Sequence, residues 1–395
     1  MSENQVLAVI EKHAEELKSL SETNERLGRL SDRTAEILRE AGVMKMLQPR
    51  RHGGLVSTPR EFAEVVMRLG QLDGSTAWVA GVVGVHPWEM AFADPEVQED
   101  IWGEDDNTWI ASPYAPTGVL RPVDGGYVFN GRWQFSSGTD HCRWLFLGAR
   151  LGDAEGTPVN PPVGYHVIIP RSDYTIVPDS WDVVGLRGTG SKDIVVENAF
   201  VPANRVLSTL KVLEGELARE LGVEDPLFHV PFSAAFPLGI TASVVGMAEG
   251  GLAEVQEQAR KRVRVTGAHA VEDPHLLYSL GEAAAEIHAA RAALLENATR
   301  LYDRVVAGEE ITFQDRAHGR RIQVQAAWRA VGALDQVVAR AGGNAMRMSS
   351  PVQRFWRDAH MGLTHAIHVT GTVMQASAMT DLGLNVPPGP LRFFI

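Results

Sequence analysis

Gly125-Gly-Tyr-Val-Phe-Asn-Gly-Arg-Trp133 is where the texture of this chain changes. Tyr127, Val128 and Phe129 favour extended backbone, and the two glycines before them mark a turn, so the stretch reads as part of a β-hairpin. Runs of the same kind follow at Trp144-Leu-Phe-Leu147, Tyr165-His-Val-Ile-Ile169 and Ile194-Val-Val196, bounded by Pro161-Pro162 and Pro170. They predict antiparallel strands joined by turns, hence a small barrel or sandwich.

Both flanks of this zone read as helical. Upstream, Val6, Ile10, Leu17 and Leu20 hold helical spacing, and Phe62, Val65, Val66 and Leu69 repeat it after a start at Pro59. The long apolar segment 78–92 reads as one buried helix. Downstream, helices are predicted over 240–265, 274–307, 313–340 and 351–382. Four helices of that length with short links predict an antiparallel bundle. Helix, strand and helix zones in that order give an α+β fold, not an alternating one. The expected division is an N-terminal helical domain at 1–108, a central β domain at 109–228 and a four-helix bundle at 229–395.

Composition excludes several classes. The chain has 395 residues and a net charge of -12, which argues against nucleic acid and against an anionic membrane surface. A single cysteine, Cys142, allows no internal disulfide. The first twenty residues are charged throughout, which predicts no signal peptide, and no apolar run reaches the ~20 residues of a membrane span. A cytoplasmic protein is expected. Gly185-Leu-Arg-Gly-Thr-Gly190 precedes a strand instead of following one, so no dinucleotide fingerprint is present, and there is no P-loop. His360, His365 and His368 lie close together, but without a carboxylate set they do not predict a metal site.

Four motifs, in the right order, resemble the acyl-CoA dehydrogenase-like superfamily along essentially the whole chain. Ser57-Thr-Pro-Arg-Glu-Phe-Ala63 resembles its N-terminal helical domain, and the stretch quoted first resembles the hairpin that lies over the flavin. Gly185-Leu-Arg-Gly-Thr-Gly-Ser191 resembles its late β-domain signature. Ala341-Gly-Gly343, then Arg357-Asp-Ala359, resembles its bundle motif. In many dehydrogenases of this superfamily a glutamate base follows Arg-Asp-Ala at a fixed distance. Here that slot holds Ala366, which cannot accept a proton, next to His365.

A histidine at that place resembles the flavin-dependent monooxygenase branch, whose members act on p-hydroxyphenylacetate, on a phenolic secosteroid and on dibenzothiophene. Gly84-Val-His86, Ser112-Pro-Tyr-Ala-Pro116, Ser136-Ser-Gly138 and Gln353-Arg-Phe-Trp-Arg-Asp-Ala-His360 are similar to the secosteroid-phenol hydroxylase. The resemblance implies the oxygenase component of a two-component system. Such a component takes reduced FMN or FAD by diffusion from a separate NAD(P)H-dependent flavin reductase. It then hydroxylates a phenolic, indolic or polycyclic aromatic substrate with O2 through a C4a-hydroperoxyflavin. A homotetramer is also implied.

The same resemblance assigns roles. Ser137 would accept a hydrogen bond from flavin N5, although alone it reads as a turn serine. His365 would be the acid or base that works on a phenol, since an imidazole suits proton transfer near neutral pH. His86 would hydrogen-bond a substrate hydroxyl, and His360 and His368 would be structural. Trp78 would wall the flavin pocket, Ser112 would contact flavin or substrate, and Phe135 and Ser136 would pass beneath the flavin ring. Arg262, in a basic cluster with Lys261 and Arg264, would meet the flavin phosphate, although such a cluster also reads as a solvated helix face. Two other readings are weaker. An FAD-dependent acyl-CoA dehydrogenase is opposed by Ala366. A non-catalytic binding protein on this fold is opposed by His365, Ser137 and His86 together.

Overall fold

The computed structural model describes residues 5–263, 267–389, 391–392 and 395. Helices fill the first hundred residues. The helix Pro59–Leu72 starts where the spacing predicts, because Thr58 and Glu61 form a reciprocal cap and proline costs nothing at the first helical position. The apolar segment after it is two helices, Gly74–Val83 and His86–Met90, instead of the single predicted one. Pro87 explains the break, because its ring would clash with a carbonyl of the preceding turn.

The strands are β1 (Ile110–Ala111), β2 (Gly118–Val123), β3 (Gly126–Ser136), β4 (Trp144–Leu151), β5 (Gly164–Pro170), β6 (Thr175–Ile176), β7 (Lys192–Pro202) and β8 (Val206–Ser208). They form one sheet in the order β6-β7-β3-β2-β4-β5-β8, with β1 paired to β4. Every strand run read from the sequence falls inside β3, β4, β5 or β7. The expected barrel or sandwich is corrected. The sheet is open, because the end strands β6 and β8 are two and three residues long and pair only inward. It is also not purely antiparallel, since β2 and β1 both run parallel to β4.

The helix Phe232–Lys261 is the axis of the molecule. It alone has the length and hydropathy to cross a bilayer among the described residues, but it is sheathed by protein. Two glycine pairs let it approach its neighbours. A Cβ on Gly81 would lie 2.5 Å from the Gly239 carbonyl oxygen, and one on Gly70 would lie 2.9 Å from Gly246 Cα. Beside it run Pro274–Val306 and Phe313–Val338.

The fourth predicted bundle helix is corrected. It is Pro351–Leu363, a 3-10 turn at Ala366–His368, and Thr370–Asp381. No proline or glycine causes this break. Side chains hold it instead: buried Arg320 donates to the Ile367 carbonyl at 2.5 Å, and Trp328 Nε1 donates to the His368 carbonyl at 2.9 Å.

Candidate active site

A cavity of ≈ 730 Å³ opens where the helical zones meet the sheet. That volume suits a small-molecule site. Trp78 comes from the N-terminal helices, Phe135 from β3, Ser112 and Ser137 from the residues that follow β1 and β3, Phe236 from the helix Phe232–Lys261 and His365 from the break after Leu363. Among the described residues its wall contains no Asp or Glu.

Ser137 stands at the end of β3, just past an irregularity in the β3–β7 register between Trp133 and Ser136. Within this bulge Phe135 has φ +66, a left-handed conformation that costs a non-glycine residue energy. The strain turns its ring outward, 58% exposed on the cavity wall, edge-on to Trp181 at 5.9 Å. Ser137 Oγ accepts from Trp78 Nε1 at 3.1 Å and lies 2.8 Å from Ser191 Oγ. Trp78 in turn meets the His365 ring edge-on at 5.7 Å. One indole therefore links the serine to the histidine.

His365 caps the 3-10 turn: its Nδ1 accepts the Ile367 N–H at 3.2 Å. A nitrogen that accepts carries no proton, so the neutral ring holds its hydrogen on Nε2. Burial, then the Arg320 guanidinium, pushes its pKa down to about 4. At neutral pH this side chain is an uncharged imidazole that offers an N–H. That narrows the acid-or-base reading to a donor, because a base at Nε2 would set two hydrogens against each other at Nδ1. His368 donates from Nδ1 to the Gly362 carbonyl and meets Thr241 Oγ1 through Nε2, and His360 pairs with Asp335 and meets the Trp356 ring at a tilt, 4.5 Å between centroids. Neither lines the cavity.

The far wall carries a buried network that the sequence reading missed. Glu89 is 1% exposed; it accepts from Tyr114 Oη and from His166 Nδ1, both at 2.5 Å. His86 Nδ1 lies 3.1 Å from Tyr114 Oη. The tyrosine proton goes to the carboxylate, so His86 donates here and its Nε2 is a buried acceptor with no partner among the described residues. Burial, then the charge of His166, holds the His86 pKa near 3, and burial, then Glu89, raises Tyr114 well above the ordinary phenol value. Tyr114 and His166 line the cavity, together with Phe232 and Phe236, which stack at 5.1 Å.

Five of the eight residues singled out from the sequence therefore share this wall: Trp78, Ser112, Phe135, Ser137 and His365. Three do not. His86 is wholly buried and reaches the wall only through Tyr114. Ser136 is fully buried and absent from the wall, because the bulge leaves both Gln134 and Phe135 on the cavity side and returns Ser136 to the buried side with Trp133. Arg262 donates to the carbonyls of Arg340 and Ala341, at 3.1 and 2.7 Å, capping the end of a helix. Of its cluster, Lys261 pairs with Glu257, and Arg264 lies outside the described residues.

The family model for the acyl-CoA dehydrogenase C-terminal domain matches residues 238–370. A pigment production hydroxylase of Rhodococcus erythropolis is 53% identical over 391 residues, 99% of each chain. The flavin-dependent monooxygenase oxygenase subunit HsaA of Mycobacterium tuberculosis is 41% identical over 97% of this chain and 96% of its own. Its crystal structure superposes with a TM-score of 0.91 at 39% identity, covering 98% and 99% of the two chains. XiaF from a Streptomyces species, solved with FADH2 and glycerol, superposes with a TM-score of 0.90 at 28% identity over 97% and 96%. This chain belongs to the oxygenase subunits of flavin-dependent monooxygenases, built on the acyl-CoA dehydrogenase fold.

Proposed function

We propose that this protein hydroxylates an aromatic substrate, phenolic or indolic, with O2 and reduced FMN or FAD that a separate reductase delivers by diffusion. Ser137 carries the reading: it is a cavity-facing oxygen that already receives Trp78 and sits among aromatic faces suited to a flat ring. Reduced flavin, when bound, would supply two of the four electrons that O2 needs, bringing it to the peroxide level; the aromatic ring would supply the other two as it takes one oxygen, the second leaving as water. Ser137 would accept the hydrogen at flavin N5 and so oppose its loss. Trp78, Phe135 and Trp181 keep water from that edge. His365 donates from Nε2 to the substrate oxygen and steadies the negative charge that develops there. Tyr114, His166, Phe232 and Phe236 offer the substrate ring aromatic faces.

The wall's lack of a carboxylate weighs against a dehydrogenase, which needs a base for an α-proton. We propose the units 1–108, 109–228 and 229–395, each contributing to the cavity, in a homotetramer working in the cytoplasm. Tyr278 and Trp328, exposed on the outer helices, support such packing. Reduced flavin supplied enzymatically, with a panel of phenols and indoles, tests the reading by a mass gain of one oxygen.

Two outcomes follow directly. The purified chain with free flavin should leave NAD(P)H unoxidised until a flavin reductase is added; rapid NADH oxidation without one would contradict a two-component system. Ser137→Ala should raise hydrogen peroxide released per O2 consumed by several-fold to about tenfold. A net hydrogen bond is worth about 0.5–1.5 kcal/mol, and about 1.4 kcal/mol is tenfold in rate. An unchanged peroxide fraction would make Ser137 only a turn residue.

A further inference from the structure

From Ser137 a row of buried hydroxyls, beginning with Ser191 on the same cavity wall, runs into the protein, and the reaction as described does not use it. Ser137 Oγ lies 2.8 Å from Ser191 Oγ, which lies 2.6 Å from Thr189 Oγ1, which lies 2.8 Å from the Leu186 carbonyl. All three hydroxyl residues are at most 4% exposed. Each of these oxygen–oxygen contacts needs one proton, since two bare oxygens at such distances repel. Three hydroxyls supply three protons, and the carbonyl supplies none. Only one assignment is possible: Thr189 donates to Leu186, Ser191 to Thr189, and Ser137 to Ser191. Trp78 Nε1, which can only donate, takes one lone pair of Ser137. What Ser137 keeps for the cavity is a lone pair and no hydrogen.

The row is anchored at its far end. The Leu186 carbonyl also receives Trp181 Nε1 at 3.1 Å, and the Leu186 N–H donates to buried Asp358 at 2.6 Å. Gly188 N donates to Ser75 Oγ, and Gly138 N to the Thr189 carbonyl. The loop 185–191 is therefore tied to two helices and to the turn after β3.

We propose that Ser191 and Thr189 are positioning residues that commit the Ser137 proton and make the cavity discriminate reduced from oxidised flavin. This rests on the reading of Ser137 as the partner of N5. Reduced flavin carries a hydrogen at N5 and meets the lone pair as a donor. Oxidised flavin has a bare nitrogen there, so two lone pairs face each other. The same device keeps Ser137 from donating to N5, which would help displace its hydrogen.

The test is equilibrium binding of FMN and of FAD, each oxidised and each reduced under anaerobic conditions, followed by tryptophan fluorescence. The parent should bind the reduced form several-fold to about tenfold more tightly, the ratio that one hydrogen bond gives. Ser191→Ala frees the Ser137 proton, so oxidised flavin should tighten and the ratio should fall several-fold. Thr189→Val keeps the shape of the loop but removes the acceptor for Ser191, and should move the ratio the same way. Ser191→Thr restores the hydroxyl and should restore the ratio. Equal affinity for both redox states in the parent, or a ratio unmoved in both Ser191→Ala and Thr189→Val, overturns the proposal while leaving the flavin site standing. A parent that binds neither form overturns the flavin reading of the cavity and this proposal with it.

Discussion

His365→Ala is expected to lower the yield of hydroxylated product by about 10²–10³-fold, the usual cost of removing one donor from a developing oxyanion. Oxygen consumption should continue. The argument starts at the break between Leu363 and Thr370, where the Ile367 N–H fixes His365 Nδ1 as an acceptor. The hydrogen is thereby set on Nε2. Burial keeps the ring neutral, with a pKa of about 4, so the donor is present at any pH near neutrality. Alanine removes that donor but leaves Ser137, Ser191 and the Trp78 hydrogen bond in place. Product and peroxide measured against O2 consumed separate the two effects: product should collapse while peroxide takes its share. An unchanged product yield would remove His365 from the chemistry.

Acidification is expected to destabilise the fold well before carboxylates titrate. His86, His365 and His368 have folded pKa values of about 3, 4 and 3, against 6.5 when unfolded, because burial disfavours the charged ring. Between pH 6.5 and 5 the unfolded chain binds a proton at each of them and the folded chain does not. Stability therefore falls by about 1.4 kcal/mol per pH unit for each histidine. Asp358 acts in the opposite direction. Burial raises its pKa from 3.8 to about 7, so its contribution is lost as pH rises through 7 and regained on acidification. Three slopes less one leave a net loss of roughly 3 kcal/mol per pH unit. His52, His141 and His318, whose pKa values are also lowered by burial, steepen it. Calorimetric melting temperatures should drop steeply from pH 6.5 to 5. A flat or rising profile over that interval would show that these histidines are not held neutral.

How far the sequence reaches depends on whether the signal is local. The strands announced themselves through β-branched and aromatic runs between turn residues, and Pro59 marked a helix start. The closure of the sheet was not legible, because it depends on whether two short end strands, far apart in the chain, meet. The break at Ala366–His368 was missed for a similar reason. No proline or glycine lies between Leu363 and Thr370, and the residues that hold the break, Arg320 and Trp328, lie 47 and 40 residues before the carbonyls they bind.

The site divides the same way. Ser137 and His365 stood out within motifs. Glu89 left a fainter signal as a lone carboxylate inside the apolar segment 78–92, where an unpaired charge is costly and a partner is implied. Its partners, Tyr114 and His166, come from separate strand-zone segments that no spacing links to it. Arg262 is a different case. A basic cluster on a helix suggested an anion, and the structure places Nη1 of this arginine on the carbonyls of Arg340 and Ala341, away from the cavity wall.

The most direct test of the whole account uses a single turnover. The chain is mixed anaerobically with chemically reduced flavin and a phenol, then exposed to isotopically labelled O2 in ordinary water. The account predicts a hydroxylated phenol carrying one labelled oxygen, with one flavin oxidised per product formed. Flavin oxidation that yields only peroxide across the panel of aromatics, or a product whose new oxygen comes from water, would contradict it.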